Sequence, residues 1–127
     1  MEFQTRMPAA RHYIENLLAA FNLAVGTGNT EALAILTQNV AVTLQSMAAE
    51  PTDVISFLTP DYGKAIQTIT NLSLTPEESC VHYTGTYQIW MIEDRKPACA
   101  ALGHVQGTLE AGPQVWRWVR HSITPLP

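Results

Sequence analysis

Apolar residues recur at Ala10, Ile14, Leu17, Leu18, Phe21 and Val25, in steps of one, three and four. That spacing draws one stripe along a helix, and the stripe must be covered by other structure. Pro8 suits the first turn, where a missing N–H costs nothing. Gly26 and Gly28 end the helix, because glycine tolerates the left-handed cap. Asn29 or Thr30 then caps a short second helix through Leu33 and Leu36, which closes near Asn39. Val40, Val42 and Leu44 alternate with Ala41 and Thr43, the period of a strand. Pro51-Thr52-Asp53 opens a third helix with Val54, Phe57 and Leu58 on one side, and Thr59-Pro60 interrupts it. The stretch 62–69 is ambiguous, and reads as a helical turn passing into a strand over 68–74.

The C-terminal third is clearer. Residues 80–92 are rich in β-branched and aromatic side chains, and 93–96 form a polar turn. Residues 98–109 run back, Ala111-Gly112-Pro113 turns again, and 115–123 form the last strand. Three long strands joined by short turns predict an antiparallel meander. Helices first and strands later indicate an α+β fold, with N-terminal helices packed on a strongly curved antiparallel sheet. The length of 127 residues fits one domain, 1–127.

Composition narrows the function classes. Hydrophobic residues make up 46% and charged ones 14%, which excludes disorder. So low a charge content suggests that an interface covers part of the surface. The net charge is -4 and only Arg95-Lys96 puts two bases side by side, so nucleic acid is not an expected partner. No stretch approaches the roughly 18 apolar residues of a membrane span. The N-terminus lacks an apolar leader segment, so a cytoplasmic location is the expectation, and the sequon at Asn71-Leu72-Ser73 is then idle.

Phe21-Asn22-Leu23-Ala24-Val25, the break Gly28-Asn29 and the following Thr30-Glu31-Ala32-Leu33 resemble the aromatic helix, break and short second helix of the nuclear transport factor 2-like superfamily, including its SnoaL-like branch. Gly112 followed by Trp116-Arg117-Trp118-Val119-Arg120-His121-Ser122 resembles that superfamily's terminal strand. The resemblance spans nearly the whole chain. It implies the fold above, with the sheet forming a cone with an internal cavity, and a homodimer. It implies no single activity, because the superfamily holds cyclases, dehydratases, isomerases, ligand binders and dimerisation modules. Its ketosteroid isomerases use a helix tyrosine and a strand aspartate, and Phe21 and about Leu44 stand at those positions here. Phe has no hydroxyl and Leu no proton site, so that pair is missing.

A simple hairpin at 93–96 pairs Ile92 with Pro97, Trp90 with Cys99 and Cys80 with Leu109. Cys80 and Cys99 are then remote from each other and both free. Strand alternation places Val81, Tyr83, Tyr87, Ile89 and Met91 on one face with Ala98, Ala100, Leu102, His104 and Gln106. A second turn of three or five residues adds Trp116, Trp118 and Arg120, and one of two or four residues exchanges the last strand's faces. This more apolar face should lie against the helices. His82, Thr84, Thr86, Gln88, Trp90, Val105, Arg117 and His121 take the other face, and Trp90, Val105 and Val119 there predict a homodimer interface.

A cavity between the first helix and the inner face would be lined by Phe21, Tyr83, Tyr87, His104 and Trp118, the usual form of a small-molecule site. His104 is the candidate general base or polar anchor, with Tyr83 as its donor partner and Gln106 or Tyr83 fixing its tautomer. Arg120 could meet an acidic ligand group. Against these stand the plainer roles of satisfied core histidine, core aromatic and solvated arginine. Asp53 suits a helix start and Asp61 a turn. His12 with Glu15, and His82 with His121, lack the spacing of a metal site, and no cofactor motif is visible. Three functions therefore stay open: a dimeric binder of a small apolar or carbonyl-bearing ligand, a cofactor-free cyclase, dehydratase or isomerase using His104, and a purely structural dimerisation domain.

Overall fold

The stripe from Ala10 to Val25 forms α1 (Met7–Gly26), and Ala10, Ile14, Leu18, Phe21 and Val25 are all buried. The computed structural model describes residues 7–59, 65–113 and 115–126. Gly28, at φ 65, turns the chain into α2 (Thr30–Leu36), where the Asn29 side chain accepts from the Ala32 N–H at 3.0 Å. α3 (Pro51–Leu58) starts on Pro51, and Asp53 accepts from the Glu50 N–H at 3.0 Å. That contact satisfies one donor at the helix start. Asp61 lies outside the described residues.

β1 (Ala41–Leu44) turns through Gln45 and Ser46, both at positive φ, into β2 (Met47–Ala48). The sequence reading did not foresee β2. β3 (Ala65–Pro76) is followed by β4 (Cys80–Glu93), β5 (Lys96–Ala111) and β6 (Trp116–Pro125). The helical turn expected before residue 68 is corrected over the described residues: Ala65 is already strand, paired with Met91. Ala65, Ile66 and Ile69 satisfy a helical spacing, but pairing to β4 imposes period two, so Ala65 and Gln67 are buried and Ile66 is exposed.

The sheet order is β2-β1-β6-β5-β4-β3. β1 runs parallel to β6, so the sheet is mixed and not wholly antiparallel as expected. The long excursion through α3 and β3–β5 separates these two strands, and a parallel pair requires such a crossover.

Bulges set the faces. Trp90 pairs with Cys99 and Ile89 with Ala101, so Ala100 is an extra residue in β5. Thr108 pairs with Arg120 and Leu109 with Trp118, so Val119 is extra in β6. A third irregularity lies between Thr70 and Ser73, where Asn71 has φ 56. Each extra residue bends its strand and reverses the alternation beyond it. The hairpin register predicted for 90–99 is correct, and beyond Ala100 it is off by one. Cys80 faces Glu110 rather than Leu109. Leu102, His104 and Gln106 point outward and are exposed, whereas Val105 is buried. The second bulge leaves Trp116 and Trp118 inside, turns Arg120 out and brings His121 and Ile123 in. α1 packs over this inner face, and its stripe joins Tyr83, Tyr87, Val105, Leu109 and Trp118 in one core.

Candidate functional site

Two glycines shape the inner face. Tyr83 lies opposite Gly107 and Tyr87 opposite Gly103. A Cβ on Gly107 would stand 2.1 Å from Tyr83 Oη, and one on Gly103 would stand 2.2 Å from the Tyr87 ring. Only residues without side chains let both rings lie across β5. Tyr83 thereby reaches β6, where the Trp118 Nε1–H donates to its Oη at 2.8 Å and His121 Nδ1 lies 2.7 Å away.

His121 is fully buried. Its ring centroid lies 5.0 Å from Phe21, 5.3 Å from Trp118 and 5.9 Å from Tyr83. Burial among these rings pushes its pKa down to about 3 and keeps the imidazole neutral. Burial pushes Tyr83 well above its ordinary value, only partly offset by the Trp118 hydrogen bond and the Arg120 charge. The Tyr83–His121 contact has two proton arrangements. Tyr83 donates to Nδ1 and Nε2 carries the proton, or Nδ1–H donates to Tyr83 while the phenol donates to the Arg120 carbonyl at 3.3 Å. In both, His121 Nε2 has no partner among the described residues.

Gln67 is the second orphan. Its Nε2 donates to the Leu58 carbonyl at 2.9 Å, and its buried Oε1 has no partner among the described residues. Gln67 and His121 line one interior gap of about 10 Å³ together with Phe21, Asn22 and Tyr87. A gap of that size holds about one water. Above it, a groove of about 1470 Å³ runs between α1 and β3, with Leu18, Leu23, Ile66 and Leu72 among its walls. Asn22, Gln67 and Ile69 border both spaces. The groove is mostly apolar, with Arg11 and Glu15, paired at 3.1 Å, contributing charge to its wall.

The structure buries Phe21, Tyr83, Tyr87 and Trp118 in one core; Phe21 and Tyr87 border the interior gap, whereas Tyr83 and Trp118 border neither the gap nor the groove. His104 does not join them: it is exposed on the outer face between Thr86 and Thr124. Gln106 lies beside it between Thr84 and Ser122. Arg120 also points outward, donating to Thr108 Oγ1 at 3.2 Å. These three corrections share one cause, the extra residues at Ala100 and Val119. Sequence reasoning missed His121, Gln67 and Asn22. A usable signal was present: Gly103 and Gly107 repeat the spacing of Tyr83 and Tyr87 in reverse. Setting each small residue against a large one gives the correct register.

No family model matches the chain, and no curated protein matches it. Solved structures do. A protein from Novosphingobium aromaticivorans, described as nuclear transport factor 2-like with a cystatin-like fold, is 18% identical at TM-score 0.72, over 97% of this chain and 86% of its own. A candidate scytalone dehydratase from the same organism is 12% identical at TM-score 0.69, over 98% and 89%. A protein from Catenulispora acidiphila in complex with S-DNPA is 14% identical at TM-score 0.70, over 93% and 94%. The shared order of helices and strands, at these identities, establishes architecture: the chain has the cystatin-like fold of nuclear transport factor 2-like proteins.

Proposed function

We propose that this chain binds a small, largely apolar molecule bearing one hydrogen-bonding group, between α1 and the inner sheet face. One observation carries the reading. Two fully desolvated polar atoms, Gln67 Oε1 and His121 Nε2, lack partners among the described residues and belong to residues lining the same gap. Leaving such atoms unpaired costs about 1–3 kcal/mol each. A ligand entering from the groove relieves that cost by giving His121 or Gln67 a hydrogen bond while its apolar part covers Leu18, Ile66 and Ile69. Structural neighbours that include a candidate dehydratase and a complex with S-DNPA are consistent with such use of the fold. If the site is catalytic, His121 replaces His104 as the proton-transfer group, with Tyr83 and Trp118 as positioning residues.

The narrow gap favours a second reading, a dimerisation domain with a filled core. Both readings include a homodimer of single-domain chains in the cytoplasm. Titration with 2-naphthol, followed by calorimetry, separates them. Binding that weakens at least tenfold in His121→Phe, with thermal unfolding retained, supports the ligand site. Absence of binding, together with no organic mass retained in a native mass spectrum of the purified protein, leaves the dimerisation domain.

A further inference from the structure

The turn between β3 and β4 gathers three side chains that the interior does not use. Glu77 Oε1 lies 3.2 Å from His82 Nε2. Cys80 Sγ lies 3.7 Å from Glu77 Oε2 and 3.7 Å from His82 Nε2. We propose that Glu77, Cys80 and His82 form a binding site for a zinc-class divalent transition metal.

The donor set is the first argument. Thiolate sulfur, imidazole nitrogen and carboxylate oxygen are the three ligand types zinc takes from proteins. The spacing is the second. Tetrahedral zinc, with Zn–S of about 2.3 Å and Zn–N and Zn–O of about 2.0–2.1 Å, holds sulfur roughly 3.5 Å from nitrogen or oxygen and those two roughly 3.3 Å apart. The 3.7 Å between Cys80 Sγ and His82 Nε2 is close to that spacing, and Glu77 turns one oxygen towards each of them, Oε1 at 3.2 Å from Nε2 and Oε2 at 3.7 Å from Sγ. All three ligand atoms lie within 4.8 Å of one another.

Orientation is the third argument. His82 Nδ1 lies 3.0 Å from Thr108 Oγ1. Donating Nδ1–H to that buried hydroxyl leaves Nε2 as the free lone pair, and Nε2 is the atom facing Glu77 and Cys80. Such an outer hydrogen bond is the usual support of a metal-bound histidine. The backbone is fixed as well. The Glu77 N–H donates to the Cys80 carbonyl at 2.8 Å, and the Ala111 N–H ties the Ser79 carbonyl to β5 at 3.0 Å. Cys80 and His82, two residues apart on one strand, share the outer face.

Metal binding releases the thiol proton to solvent. A thiolate, a carboxylate and a neutral imidazole then balance the two positive charges of the ion. Three protein ligands leave the fourth position open to water, as in zinc sites that exchange ligands. None of the three residues borders the α1–β3 groove or the interior gap, so this site stands apart from the proposed ligand site.

The experiment is a titration of the tag-free, reduced full-length chain with Co²⁺. The expected result is a thiolate-to-cobalt charge-transfer band saturating at one ion per chain, with tetrahedral d–d absorption, both abolished by one equivalent of Zn²⁺. Cys80→Ser removes the band, His82→Gln weakens binding at least tenfold, and Thr108→Val weakens it about tenfold through the imidazole. Far-ultraviolet dichroism checks that the variants remain folded. A missing band, octahedral spectra only, or a band that survives Cys80→Ser and vanishes in Cys99→Ser overturns the proposal.

Discussion

His121 shows how one side chain links burial to pH. Its ordinary pKa of 6.5 falls to about 3 in the folded chain, because the buried ring cannot be solvated when charged. Between those values the unfolded chain binds a proton that the folded chain refuses. Its contribution to stability is therefore complete above pH 6.5 and is lost as pH falls towards 3. The urea midpoint should drop between about pH 6 and about pH 4, and His121→Gln should flatten that drop. Parallel curves for the two proteins would show that His121 is not the group responsible. The cost of this ring is borne by the packing of Phe21, Trp118 and Tyr83 around it, a contact set assembled from α1, β4 and β6.

At the scale of elements, helices and hairpins follow local rules and bulges do not. The stripe of α1, the Asn29 cap and the Pro51 start each depend on residues within a few positions, so the pattern reveals them. The β4–β5 hairpin is equally local: Asp94 and Arg95, at φ 49 and 64, form a two-residue turn. Both carry a Cβ in the left-handed region, which costs about 1–2 kcal/mol per residue relative to glycine. Replacing Asp94-Arg95 by Asn-Gly should stabilise the domain by about 1 kcal/mol, read as a higher urea midpoint with an unchanged slope. An unchanged or lower midpoint would mean that the turn is not strained. The bulges at Ala100 and Val119 leave no mark within their own strands, because the sheet chooses them by which residues its inner face can accept. Gly103 and Gly107 supply the space, Tyr83 and Tyr87 fill it, and His104 turns out as the consequence.

For the whole molecule, the outer face of the sheet governs assembly. Thr68, Thr70, Thr84, Thr86, Gln88 and Gln106 cover much of it, with Trp90 37% exposed at one side. Thr68, Thr70 and Gln88 are joined by hydrogen bonds of 2.7 Å, and the Trp90 Nε1–H donates to Thr68 at 3.0 Å. This largely uncharged part of the surface suits burial against a second copy, even though Val105 belongs to the core and not to this face. Sedimentation should give twice 14.0 kDa at micromolar concentration, and Thr86→Arg should return the monomer. A wild-type monomer would refute the interface.

The amino-acid sequence by itself determined the helices, the strands β4 to β6 and the α+β class, each from spacing within one element. Tertiary structure decided which histidine lies inside. It also decided that β1 pairs in parallel with β6, and that Glu77, Cys80 and His82 converge. Strand alternation carries no memory of an inserted residue, so one bulge exchanges every later side chain between core and solvent. The choice between His104 and His121 was therefore made by packing across three strands, where the smallest residues had to meet the largest.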